Sequence, residues 1–147
     1  MINEALCAEN CVARWIWKSG QVRTGYTVPW EIQSVNTCLD NFVWEKDTTT
    51  IISVAPGLYE INFGFFVRKI PSIKILVNDE VVTTAVNSSS YVIHHSSGRL
   101  KTHAGHPSGN ITGLTMVDFL SLPPRARISI QYDGEPNAEG FLGLKKL

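Results

Sequence analysis

The chain has 147 residues, of which 44% are hydrophobic and 18% charged, and thirteen basic side chains balance thirteen acidic ones. This length fits one domain with its own core, and the hydrophobic fraction is too high for a disordered chain. Zero net charge disfavours a nucleic-acid binder, and no apolar run is long enough to span a bilayer. We therefore expect no nucleic-acid partner and no membrane insertion.

Residues 1–12 carry the helical pattern of this sequence, about two turns of good helix formers, and are predicted to form a short helical or flexible lead. The N-terminus has neither a basic start nor an apolar segment, so it does not resemble a signal peptide. This favours a cytoplasmic protein. The protein would instead be extracellular if an upstream signal peptide had been removed.

Three cysteines, Cys7, Cys11 and Cys38, form an odd and sparse set. Cys7 and Cys11 would share one face of a helix, but two further ligands at a spacing suited to zinc are missing. We expect free thiols and neither a metal site nor a disulfide framework.

Short alternating segments separated by turns fill the rest of the chain. The clearest strand covers residues 58–67 and places Tyr59, Ile61 and Phe63 in the core, together with Ile128 and Ile130 of a second alternating strand. Residues 48–54 are predicted to form a hairpin with 58–67, and residues 73–77 with 81–86 across the turn at 78–80. Further strand candidates are residues 13–17, 42–45, 91–95, 111–119 and 140–145.

Eight to ten short strands without an internal helix predict an all-β sandwich or barrel, with residues 13–147 as one domain. Residues 87–90 and 96–110 are predicted loops. Trp15 and Trp17 share one face of a strand, and core packing is the commoner use of such side chains. The alternative is that the tryptophans anchor an interface or a ligand.

The order of several motifs resembles the C1q/TNF-like family. A Pro-Gly-Leu-Tyr turn at residues 56–59 leads into the aromatic strand, and a Val-Asn-Asp-Glu-Val hairpin follows at 77–81. A Leu-Pro-Pro-Arg turn at 122–125 precedes an alternating strand, and the chain closes with Glu-Gly-Phe-Leu-Gly-Leu at 139–144. The resemblance covers about residues 13–147 and implies an antiparallel jelly-roll β-sandwich.

The resemblance also implies a non-catalytic module that forms homotrimers and binds other proteins. We interpret it as the C-terminal part of a larger protein. In such trimers one sheet packs around the three-fold axis, with the mid-chain and last strands contributing to it. The candidate self-association surface therefore consists of Glu60, Asn62, Phe66 and Phe141.

Glu60 would need a basic or hydrogen-bonding partner across such an interface, because an unpaired buried carboxylate is costly. Arg125 and Arg127 are candidates for this partner, since they lie on the non-core face of their own strand.

A histidine-rich segment forms the candidate binding loop, and its members are His94, His95, His103 and His106. Two of them could supply nitrogen ligands, but no rigid frame and no carboxylate accompany them, so no metal or other cofactor is predicted. The alternative to an interaction module is a sandwich that binds a small ligand, such as a carbohydrate, through this loop and exposed tryptophans.

Serine, histidine and aspartate side chains, for example Ser96, His95 and Asp118, are present but carry no nucleophile-elbow motif. Phosphate-binding glycine motifs are also missing from the sequence. We therefore predict that the protein is not an enzyme.

Overall fold

The computed structural model describes residues 11–18, 26–46, 48–67, 71–85, 99–103, 112–135 and 138–147. Within these ranges the chain forms twelve strands and no helix, and every pairing is antiparallel. Two sheets pack face to face over a shared apolar core. The predicted jelly-roll β-sandwich is therefore confirmed.

Sheet A has six strands. They are β1 (Val12–Trp17), β3 (Ile32–Asn36), β6 (Gly57–Val67), β9 (Arg99–His103), β10 (Thr112–Leu122) and β12 (Glu139–Lys146). Across the sheet their order is β3-β1-β12-β6-β10-β9, so the mid-chain strand β6 lies between β12 and β10 at the centre.

Sheet B contains the remaining strands. They are β2 (Tyr26–Thr27), β4 (Phe42–Val43), β5 (Ile51–Ser53), β7 (Ser72–Val77), β8 (Glu80–Ala85) and β11 (Ala126–Asp133). Their order is β4-β5-β11-β7-β8, and β2 pairs with β11 beyond the end of β5.

Inward-facing side chains of both sheets form the core. Tyr59, Ile61 and Phe63 of β6 and Ile128 and Ile130 of β11 are at most 1% exposed. These five core predictions are confirmed. They follow from the strict two-residue alternation of side chains along a strand that has one buried face.

Three tryptophans also belong to the core. Trp15, Trp17 and Trp30 are fully buried, and the Trp17 ring packs edge-on against Tyr132 with the centroids 5.2 Å apart. Burial raises the pKa of the Tyr132 hydroxyl to about 12. Trp44 is half-buried against the same core. The core interpretation of these tryptophans is confirmed, and the three buried rings cannot stack on a ligand at the surface.

The hairpin predicted around residues 78–80 is confirmed. Strands β7 and β8 pair, and Asn78 and Asp79 have φ angles of 52° and 69°. A two-residue turn of this kind needs positive φ at both central positions, which Asn and Asp tolerate better than most residues.

The hairpin predicted between residues 48–54 and 58–67 is wrong. Strand β5 pairs with β4 and β11 in sheet B, whereas β6 lies in sheet A. The turn at Pro56 and Gly57 therefore crosses between the sheets. A buried hydroxyl holds this crossover in place, since the Tyr59 hydroxyl donates to the Ala55 carbonyl at 2.6 Å and accepts from the Asn41 side-chain amide at 3.1 Å.

Several other expectations concern elements at the margins of the fold. Strand β3 was not predicted, and β9 lies inside the segment 96–110 that was predicted to be a loop. Strand β1 begins at Val12, and residues 1–10 of the predicted helical lead lie outside the described residues. The strand predicted at residues 91–95 also lies outside them.

Cys11 and Cys38 form a disulfide, so the expectation of free thiols is wrong for these two residues. Cys11 precedes β1 and Cys38 follows β3, and the pairing of these strands brings the two Cα atoms to 5.3 Å although 27 positions separate them in sequence. Both residues are buried. Cys7 lies outside the described residues.

Candidate functional site

The outward face of sheet A contains all four residues of the candidate self-association surface. Strands β6 and β12 are neighbours, and their register places Glu60, Asn62 and Phe66 beside Lys145, Gly143 and Glu139, with Phe141 opposite Gly64. Residues directly opposite in an antiparallel pair share a face. These side chains therefore form part of one continuous surface.

Exposed apolar side chains extend this surface, and the sequence interpretation missed them. Among the described residues nine large hydrophobic side chains are substantially exposed, and five of these lie on the outward face of sheet A. The register shows which face they share. Val117 and Phe119 lie opposite the outward residues Asn62 and Glu60 of β6. Val35 lies opposite the outward residue Arg14 of β1, and Ile32 lies opposite Ile16 on the same face. The five are Ile32, Val35, Leu58, Val117 and Phe119.

Strand β10 shows why this apolar surface was difficult to predict. In the sequence Val117-Asp118-Phe119 the polar residue would be expected to face solvent. In the structure Asp118 is fully buried, whereas Val117 is 41% and Phe119 50% exposed. The Asp118 carboxylate accepts a hydrogen bond from the Phe119 backbone N–H at 2.8 Å, which helps to satisfy the buried acid.

Phe141 is partly covered by its own chain. A Cβ atom on Gly64 would lie 2.9 Å from Cζ of Phe141, so the ring lies over this glycine. The guanidinium carbon of Arg14 is 4.3 Å from the centroid of the same ring, within the range of a cation–π contact. Arg14 therefore covers part of the Phe141 ring on this face. Arg14 is another residue that the sequence interpretation missed.

A shallow depression of about 210 Å³ lies beside this contact. Its lining includes Lys18, Phe66 and Glu139, which lie near the start of β12. Small-molecule sites usually have volumes of roughly 300 Å³ or more and bury most of their ligand. The depression therefore gives little support to the small-ligand alternative.

The two arginines proposed as partners of Glu60 lie in sheet B or in the turn that leads into it. Arg127 on β11 forms an ion pair with Asp79, with 3.0 Å between Nη2 and Oδ2. Arg125 lies in the turn before β11, where its backbone N–H donates a hydrogen bond to the Val54 carbonyl at 3.0 Å. Within one chain neither arginine lies opposite Glu60, because those positions hold Lys145 on β12 and Phe119 on β10.

The outward face of sheet B is more polar along its central strand. Arg127, Gln131 and Asp133 of β11 point away from the core, and Lys74 of β7 lies opposite Gln131. Val43 and Val81 add exposed apolar area at the margins of this sheet. The larger set of exposed apolar side chains thus belongs to sheet A.

The candidate binding loop is mostly untested by the structure. His94, His95 and His106 lie outside the described residues, as does Ser96. His103 is the last residue of β9, opposite Gly113 of β10, so it lies on a strand and not in a loop. Within the described ranges no three His, Cys, Asp or Glu side chains are grouped so that they could hold a metal ion.

The part of the chain that the structure describes contains no helix long and apolar enough to cross a membrane.

Comparison with known families gives one match, over residues 12–147, to a family described as a domain of unknown function, DUF8789. The chain belongs to this family. A search of curated proteins finds no match to the sequence.

Solved structures with a similar fold include the globular domain of zebrafish complement 1qA protein. It has a TM-score of 0.61 and 10% sequence identity, and the alignment covers 91% of this chain and 94% of that chain. Murine APRIL at pH 5.0 has a TM-score of 0.64 and 10% identity, with 94% and 99% of the two chains covered. The predicted C1q/TNF-like jelly-roll fold is confirmed by these similarities, which at this identity concern the fold alone.

Proposed function

We propose that this DUF8789 domain is a non-catalytic protein-interaction module that self-associates as a homotrimer through the outward face of sheet A. One observation carries the proposal: five exposed apolar side chains from β3, β6 and β10 all lie on this face. Exposed apolar side chains that are concentrated on one face of a soluble protein often mark a surface that a partner covers.

The distribution of these side chains supports a closed ring. Ile32 and Val35 lie on the β3 side of sheet A, whereas Val117 and Phe119 lie towards its opposite side, on β10. A head-to-tail contact joins two different patches of the same molecule, and such contacts close into rings when the rotation fits. The C1q/TNF-like resemblance favours three copies.

The proposal also covers binding to other proteins and the compartment in which the domain folds. The resemblance implies that the assembled module binds other proteins through surfaces that remain exposed. We also infer that the domain folds in an oxidising compartment, because disulfides such as Cys11–Cys38 are rare in cytosolic proteins. This replaces the cytoplasmic location that the sequence favoured with the extracellular alternative.

Light scattering coupled to size-exclusion chromatography tests the proposal. The unmodified chain should have about three times the mass of one chain. Phe66→Glu should give the mass of a single chain with an unchanged circular dichroism spectrum, because a charge would be buried in the interface. Leu76→Glu is the matched control, since Leu76 is also half-buried but faces outward from sheet B. It should leave the mass unchanged.

A single-chain mass for the unmodified protein at all concentrations would overturn the proposal. Equal oligomeric masses for the unmodified protein and Phe66→Glu would show that another surface mediates self-association.

A further inference from the structure

Glu60 is a half-buried carboxylate near the centre of the proposed interface. Along β6 its neighbours on the same face are Leu58 and Asn62, and on β10 it lies opposite Phe119. On β12 it lies opposite Lys145. The remaining diagonal positions on this face hold Gly143, Val117, Ser121 and Leu147, none of which has a charged side chain.

Lys145 is therefore the cation that the fold places next to Glu60. Side chains directly opposite in an antiparallel pair have Cβ atoms about 5 Å apart, within easy reach of a lysine and a glutamate. Lys145 is exposed in the single chain, where water solvates both groups and an ion pair would contribute little. Covering the surface removes that water and makes an unpaired Glu60 unfavourable.

We propose that Lys145 neutralises Glu60 of the same chain when a second copy covers this face, and that the pair determines the specificity of self-association. This inference rests on the proposed function. It replaces the expected arginine partner across the interface with a partner in the same chain. Lys145 can do this because its long apolar stem can lie along the covered surface while its ammonium group reaches the carboxylate.

Sedimentation equilibrium of four variants tests the pair. Lys145→Gln should weaken self-association by at least about tenfold, because it leaves Glu60 buried without a counter-charge. Glu60→Gln should have a smaller effect, since the exposed Lys145 can remain in water. Combining Glu60→Gln with Lys145→Gln should restore most of the affinity lost in Lys145→Gln. Lys74 is an exposed lysine on the outward face of sheet B, so Lys74→Gln is the matched control and should have no effect.

Charge reversal distinguishes a pair within one chain from a pair between chains. Glu60→Lys and Lys145→Glu should each prevent association, and the double reversal in one chain should restore it. A mixture of the two single variants should stay dissociated, because each chain retains its own like-charge pair. Association in the mixture would overturn the inference and place the pair between copies.

The outcomes separate this inference from the proposed function. If the unmodified chain is monomeric, both fail. If it associates and Lys145→Gln associates equally well, the inference about the pair is wrong while the proposed interface stands.

Discussion

Two glycines of β12 lie on opposite faces of sheet A and have different surroundings. At Gly140, which faces the core, a Cβ would lie 2.6 Å from Cε1 of Phe65 and 2.8 Å from the backbone oxygen of Gly64. At Gly143, which faces outward, a Cβ would meet the tip of the Asn62 side chain at 2.8 Å. Phe65 is fully buried among other aromatic rings, whereas Asn62 is half-buried and can rotate.

We therefore expect Gly140→Ala to lower the free energy of unfolding by about 1–3 kcal/mol, because an extra methyl group overpacks the core. Gly143→Ala should lower it by less, since the neighbouring amide can move aside. Urea denaturation followed by tryptophan fluorescence measures both values. Equal effects of the two substitutions would show that Phe65 yields as readily as Asn62.

Single residues were predictable where the polarity pattern agrees with burial. Along β6 the alternation placed Tyr59 and Phe63 inside and Glu60 outside, as the structure does. The same rule fails at Asp118, which points inward between two exposed apolar residues. Its carboxylate is hydrogen-bonded to the backbone, and such local compensation has no signature in a polarity pattern.

At the scale of elements, local turn chemistry predicted the β7–β8 hairpin but not the path of β5. Asn and Asp at positions 78 and 79 fit the positive φ angles of a tight turn. The turn before β6 looks equally suited to a hairpin, yet it leads to the other sheet. The choice between these paths depends on which surface each strand buries across the sandwich, and that is a non-local property.

The disulfide was missed for a related reason. Sequence spacing places Cys11 close to Cys7, whereas its partner Cys38 becomes a neighbour only through the pairing of β1 with β3. Strand β3 carries no clear alternation, because several of its side chains are exposed on an edge strand. Without that strand the proximity of the two cysteines could not be deduced.

We expect that alkylation in denaturant without reductant will add one label to the chain, at Cys7, and that prior reduction will allow three labels. The reason is that Cys11 and Cys38 are joined and only reduction frees them. Intact mass spectrometry of protein produced in an oxidising compartment counts the labels. Cys7→Ser is the control and should give none before reduction. Three labels before reduction would show that the chain has no disulfide.

At the scale of the whole molecule, only part of the outward face of sheet A could be predicted from the sequence. Sequence alternation identified Glu60, Asn62 and Phe66, and the family resemblance added Phe141. The exposed apolar residues of β3 and β10 were not identified, because strand order in the sheet brings them onto one face. Predicting which residues make up a sheet face therefore requires the strand order, even where single strands can be interpreted from the sequence.

The exposed apolar residues on the outward face of sheet A determine how the proposed assembly should respond to salt. Apolar contact should dominate self-association, so the oligomeric mass should persist as sodium chloride is raised and should be further stabilised by sulfate. Phe119→Glu should give single chains, whereas Val43→Glu should not. The two side chains are 50% and 44% exposed, which makes both substitutions tolerable to the fold, but Val43 faces outward from sheet B. Dissociation of the unmodified chain by moderate salt would instead indicate that charges hold the assembly together.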